Sequence, residues 1–86
     1  MKQPNVTMYG STSCGDTTRA MRFLDDRQFA YEFKDVDESP ELNDYLADLN
    51  NGKRVMPTIQ IDNAILINPS DRELGEALQQ ASAERE

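Results

Sequence analysis

Histidine is absent from this chain, and cysteine occurs once, at Cys14. The first absence removes Cys–His and Ser–His–Asp nucleophilic systems together with imidazole metal sites. The second removes any intramolecular disulfide, so a two-cysteine redox couple cannot form within one molecule. Apolar runs are short. The longest, such as Ala64-Ile65-Leu66-Ile67, suit a buried strand and fall far below the roughly 20 residues of a membrane span. The opening Met1-Lys2-Gln3-Pro4-Asn5 has no signal-peptide apolar core, so a cytoplasmic, reducing location is expected. Basic side chains are scarce: 9 Lys and Arg stand against 16 Asp and Glu, a formal charge of −7. Phosphate binding needs a basic surface, so neither nucleic acid nor a membrane is an expected partner. The acidic balance is read as a solubility feature. The remaining chemistry must run on one sulfur, carboxylates, hydroxyls and backbone dipoles.

Eighty-six residues are read as one domain, 1–86, with a small core. Val6-Thr7-Met8-Tyr9 alternates and is rich in β-formers, which predicts a first strand. From Cys14, the apolar positions Ala20, Met21, Phe23 and Leu24 fall near helical spacing, and this helix should stop around Arg27-Gln28. Phe29 to Val36 alternates aromatic and polar residues and predicts a second strand. Ser39-Pro40-Glu41 reads as a helix start, with Ser39 as N-cap and Pro40 in the first helical position. Leu42, Tyr45, Leu46 and Leu49 then mark one face, and Asn50-Asn51-Gly52 ends the helix. Thr58–Ile61 and Ala64–Ile67, joined by Asp62-Asn63, form a hairpin. Ser70-Asp71-Arg72-Glu73 is a capping box for a last helix carrying Leu74, Ala77, Leu78 and Ala81. The tail Glu84-Arg85-Glu86 is expected to fray. The order is βαβαββα, an α/β chain with a βαβ unit first and a hairpin later.

Cys14 stands in Tyr9-Gly10-Ser11-Thr12-Ser13-Cys14-Gly15-Asp16-Thr17, where the first strand hands over to the first helix. Unpaired N–H groups and the positive end of a helix dipole favour a thiolate there over a thiol. An isolated cysteine can also be an inert buried hydrophobe. Its Ser, Gly and Asp neighbours favour the reactive reading. Thr17 lies one helical turn on, where i and i+3 side chains meet. Its hydroxyl either supports the Cys14 sulfur or is that of an ordinary first-turn residue. Asp16 suits the helix dipole but would raise the pKa of a nearby thiol. It is read chiefly as a solvated helix-start acid, and Arg19 and Arg22 as solvated side chains.

Four separated features coincide: the strand–Cys–helix turn, the βαβαββα order, Val55-Met56-Pro57-Thr58 entering a strand, and Asn68-Pro69-Ser70 opening the last helix. Together they resemble the glutaredoxin branch of the thioredoxin superfamily. The segment Asn51-Gly52-Lys53-Arg54-Val55-Met56-Pro57-Thr58 is most similar to bacterial mycoredoxins and related glutaredoxin-like proteins. The resemblance implies a thioredoxin fold, with a four-stranded mixed sheet and three helices. It also implies a thiol–disulfide oxidoreductase of redox homeostasis, with Cys14 as nucleophile and Thr17 beside it.

Where dithiol relatives carry C-x-x-C, this chain has Cys14-Gly15-Asp16-Thr17. The resemblance therefore implies a monothiol reaction on mixed disulfides of proteins with glutathione or an analogous low-molecular-weight thiol. That thiol is the co-substrate, no cofactor or metal is expected to be bound, and the chain is expected to act as a monomer. Pro57 is implied as a cis-proline facing the nucleophile, with Val55 and Met56 offering backbone to the substrate. Arg54 is implied to meet a substrate carboxylate, and the helix start at Ser70 and Asp71 to meet another. Tyr9, Ser13, Gly15 and Asp16 would line the groove around the sulfur. Three further departures bear on substrate affinity. No aromatic residue flanks Cys14, no basic residue precedes it by a few positions, and Pro69-Ser70 replaces a glycine pair. Two alternatives stand beside the enzyme reading. One is a homodimer holding a [2Fe–2S] cluster, although such relatives show C-G-F-S and a preceding lysine, both lacking here. The other is a redoxin-fold interaction module with weakened catalysis.

Overall fold

A computed structural model describes residues 3–83, and the expectation for the Glu84–Glu86 tail lies outside them. The chain runs β1 (Val6–Gly10), α1 (Gly15–Asp26), β2 (Glu32–Asp35), α2 (Glu41–Leu49), β3 (Thr58–Ile61), β4 (Ala64–Ile67) and α3 (Asp71–Ala83). The strands form one mixed sheet in the order β2-β1-β3-β4. β1 pairs parallel with β2 (Met8 opposite Phe33) and antiparallel with β3 (Met8 opposite Ile59). β3 and β4 close the hairpin with Ile61 opposite Ala64. The fold is the thioredoxin-like one that the resemblance implies. None of the described helices is long and apolar enough to cross a membrane.

Successive strand residues point to opposite faces. Val6 and Met8 of β1 and Ile59 and Ile61 of β3 face one side, where they pack with Ala20 and Leu24 of α1 and Leu74, Leu78 and Ala81 of α3. Met8, Leu24, Ile59 and Leu74 are fully buried, so truncating any of them to Ala should cost about 2–5 kcal/mol. The intervening β1 residue Tyr9 faces the other side, where its ring meets Tyr45 of α2 at 5.4 Å between centroids. α2 therefore covers the opposite face, burying Leu46.

Two boundaries differ from the sequence expectation. The second strand is Glu32–Asp35 rather than Phe29–Val36. Gln28 takes a left-handed φ of 61°, the Phe29 N–H still donates to the Leu24 carbonyl of α1, and the Ala30 N–H donates to Gln3 Oε1. Those amides are occupied before the ladder begins, although Phe29, Tyr31 and Phe33 do pack on the core. The second correction concerns α2, in which Pro40 rather than Ser39 holds the N-cap position, with helical φ and ψ of −58° and −25° and no side-chain cap. The Ser39 carbonyl accepts the Leu42 N–H instead.

Candidate active site

The C-terminal end of β1 and the first turn of α1 touch directly. A Cβ placed on Gly10 would stand 2.6 Å from Thr17 Oγ1 and 2.7 Å from its Cγ2, so only glycine lets strand and helix approach this closely. Between them runs the turn Ser11–Cys14. Ser11 is buried; the Cys14 N–H donates to its carbonyl at 3.0 Å and the Ser13 N–H to its Oγ at 3.2 Å. Ser11 Oγ lies 2.8 Å from Ser13 Oγ and donates to Asp37 Oδ2 at 2.5 Å.

Cys14 is the N-cap of α1, with extended φ and ψ of −93° and 122°, and it is partly exposed. Its thiol pKa is lowered. The Thr17 hydroxyl contributes most, followed by the Thr17 N–H; partial burial opposes them, the Asp16 N–H assists, and the Asp16 carboxylate opposes. The expected repulsion from Asp16 is thus present in sign and outweighed in sum. Thr17 Oγ1 is itself fully buried and has no partner of full hydrogen-bond geometry among the described residues. The hydroxyl therefore lies close enough to favour a thiolate without being aligned on the sulfur as a complete hydrogen bond.

Between the first turn of α1 and the start of α3, a shallow cleft of about 380 Å³ is lined by Asp16, Arg19, Asn68, Pro69, Ser70, Asp71 and Glu73. Arg19, expected to be solvated, is committed here. Its guanidinium grips the Asp71 carboxylate, donates to the Pro69 carbonyl at 3.1 Å, and stands 3.8 Å from Asp16. Asn68 reaches Asp16 at 3.5 Å. The capping box forms reciprocally, with Ser70 N–H on Glu73 Oε1 at 2.9 Å and Glu73 N–H on Ser70 Oγ at 3.1 Å. This pairing holds the Glu73 carboxyl below the usual carboxylate range. Arg19 escaped the sequence reading because Asp71 lies 52 positions away. Its i,i+3 spacing from Asp16 was the one local signal.

The remaining groove residues are distributed as follows. The Met56–Pro57 peptide is cis, at the entry to β3 and next to the end of β1, where Thr58 pairs with Tyr9. Val55 and Met56 are half-buried, and the Val55 carbonyl accepts the Thr58 hydroxyl at 2.9 Å. Arg54 is exposed and donates to Asn43 Oδ1 of α2 at 2.8 Å. Ser13 and Gly15 are exposed on either side of Cys14. Tyr9 is engaged with Tyr45, and burial beside that ring raises its phenol pKa. Two larger depressions, each about 520 Å³, lie elsewhere: one beside the start of β1, the other between the β3–β4 turn and α3. Neither includes a residue of the cysteine turn.

With a lone thiol at a strand-to-helix turn and a cis-proline entering the adjacent strand, the chain also matches known proteins in sequence and in fold. Residues 6–66 match the Glutaredoxin family. The chain belongs to the glutaredoxin family. A protein of Mycobacterium tuberculosis (strain H37Rv) named as a glutaredoxin is 29% identical over 70 residues, covering 80% of this chain and 83% of its own length. Mycoredoxin 1 of Corynebacterium glutamicum is 30% identical over 66 residues, covering 76% of this chain and 81% of its own. The crystal structure of a glutaredoxin from Archaeoglobus fulgidus superposes with a TM-score of 0.75 at 20% identity, over 90% of this chain and 87% of that one. Family membership supports a thiol–disulfide oxidoreductase role for this glutaredoxin.

Proposed function

We propose that this glutaredoxin is a monothiol oxidoreductase that removes a low-molecular-weight thiol, glutathione or an analogous bacterial thiol, from mixed disulfides on proteins. The observation that carries the reading is the Cys14 sulfur itself. It sits partly exposed at the N-terminus of α1, lowered in pKa, above a threonine where a second thiol would stand. The Cys14 thiolate attacks the small-thiol sulfur of protein–S–S–R, forming Cys14–S–S–R and releasing the protein thiolate, which takes a proton from water. A second molecule, R–SH, loses its proton and attacks the adduct. R–S–S–R then leaves and the Cys14 thiolate returns. Exchange of this kind speeds up with thiolate fraction and with access to the sulfur. Since the sequence holds one cysteine, no second thiol of the chain can resolve the adduct, and that step draws on one external thiol per turnover.

In this reading the cis Pro57 and the backbone of Val55 and Met56 flank the disulfide. Ser13, Gly15 and Asp16 border it, and Tyr9 closes the far side of β1. Arg54 and the α3 start at Ser70 and Asp71 contact the small thiol's polar ends. The domain acts as a monomer in the cytoplasm, where external thiol is available. Intact-mass measurement of protein exposed to oxidised cell extract tests the proposal. One small-thiol adduct per chain is expected on wild type and none on Cys14→Ser. A wild-type protein that acquires no adduct, or whose adduct is not released by added R–SH, would overturn it.

A further inference from the structure

We propose that Asp37 is a positioning residue for the nucleophile: acting through Ser11, it fixes the turn on which Cys14 stands. The inference rests on Cys14 being the reactive thiol, and it adds a residue that lies outside the groove. A hydroxyl has one hydrogen to give and two lone pairs to offer. Ser11 gives its hydrogen to Asp37 Oδ2 at 2.5 Å. The Ser13 hydroxyl, 2.8 Å from Ser11 Oγ, must therefore be the donor of that pair. The Ser13 N–H, at 3.2 Å, takes the other lone pair. With the Cys14 N–H on the Ser11 carbonyl, the Ser13 hydroxyl, the Ser13 N–H and the Cys14 N–H all hang on Ser11.

Ser11 is only 2% exposed, so its side chain is saturated by one donated and two accepted bonds and has no water to fall back on. Asp37 is anchored in turn. Its N–H donates to Asp35 Oδ1 at 2.9 Å, and the preceding Val36 N–H extends the β1–β2 pairing onto the Gly10 carbonyl. The hydroxyl hydrogens thus run in one direction, from Ser13 to Ser11 to Asp37. Without the carboxylate, the buried Ser11 hydrogen loses that acceptor and can turn only to Ser13 Oγ, which reverses the Ser13–Ser11 bond and unties the turn from the segment after β2. The turn loosens, and the sulfur slips from the Thr17 hydroxyl and from the Asp16 and Thr17 N–H groups.

The sign of the effect separates positioning from plain electrostatics. A carboxylate acting only as a charge disfavours a thiolate, so deleting it would lower the thiol pKa. Positioning demands the reverse. The test is the pH profile of Cys14, read by thiolate ultraviolet absorbance and by alkylation rate, neither of which needs a substrate. Asp16, whose carboxylate acts on the thiol, and its partner Arg19 stay unchanged throughout. Asp37→Ala is expected to raise the thiol pKa and slow alkylation at neutral pH by about three- to tenfold, the equivalent of half to one pKa unit. Asp37→Asn, whose Oδ1 still accepts the Ser11 hydroxyl, should stay within about twofold of wild type. In a Ser11→Ala background, Asp37→Ala should add nothing, because the residue it acts through is gone. Should Asp37→Ala fail to fold, Asp37→Ser, too short to reach Ser11, carries the same expectation. A pKa that stays put or falls in Asp37→Ala, or an effect that persists in full without Ser11, overturns the proposal. Failure of the mixed-disulfide reading would appear separately, as loss of the adduct on wild type.

Discussion

At Thr17 a buried hydroxyl supports the sulfur and weakens the fold. Oγ1 is sealed against Gly10 and lacks a full partner among the described residues, while it is also the largest influence lowering the Cys14 pKa. An unsatisfied buried hydroxyl costs about 1–3 kcal/mol, and Val has nearly the shape of Thr. Thr17→Val should therefore raise the denaturation free energy by about 1 kcal/mol at about pH 6, while the Cys14 pKa climbs back toward the ordinary thiol value. The pH dependence follows from linkage. A depressed native pKa stabilises the fold fully above the ordinary thiol pKa, about 8.5, and that contribution is lost as pH falls through the native value. Wild type holds this contribution and Thr17→Val largely lacks it, so the variant's advantage should narrow as pH rises through that window. Denaturant titrations of both proteins at several pH values check the sign.

At the scale of elements, α3 depends on its first turn. Ser70 and Glu73 exchange hydrogen bonds across that turn, and Ser70→Ala should cost about 1 kcal/mol. Because pairing with Ser70 lowers the Glu73 pKa, its contribution is complete above the ordinary glutamate value, about 4.3, and disappears as pH falls through the native value. The stability gap between wild type and Glu73→Gln should thus be present at neutral pH and close in acid, as denaturation midpoints will report. This box was legible in the sequence because its partners lie three residues apart; the same spacing placed Thr17 near Cys14 but left open whether its hydroxyl supports the sulfur. The element order was legible for a similar reason, since periodic burial is written into neighbouring residues. The limits of β2 were not. An alternating pattern reports which side chains are buried, whereas the strand's start is set by where the Phe29 and Ala30 amides find partners. Ser11 with Asp37, and Arg19 with Asp71, join residues 26 and 52 positions apart, and no local pattern marks either pair.

Across the whole molecule the two sheet edges are guarded differently. β2 carries Glu32 and Lys34, paired at 3.1 Å, and charges on an edge strand discourage a second chain from adding to it. β4, at the opposite edge, reads Ala64-Ile65-Leu66-Ile67, with Ile65 43% exposed and no charge in the strand. Its local protection is its four-residue length and the break at Asn68, where φ is 44°, and Pro69. What remains is long-range: a formal charge of −7 repels a second copy before the uncharged edges meet. Salt removes that barrier, because the Debye length contracts from ~10 Å at 0.1 M to ~3 Å at 1 M. Raising salt at neutral pH should therefore increase the mass of concentrated protein measured by light scattering. Ile65→Lys, which places a charge on the bare edge, should suppress the increase and leave the melting temperature within a few degrees of wild type. A mass that rises equally in Ile65→Lys would assign the association to another surface and leave β4 guarded by its length and Pro69 alone.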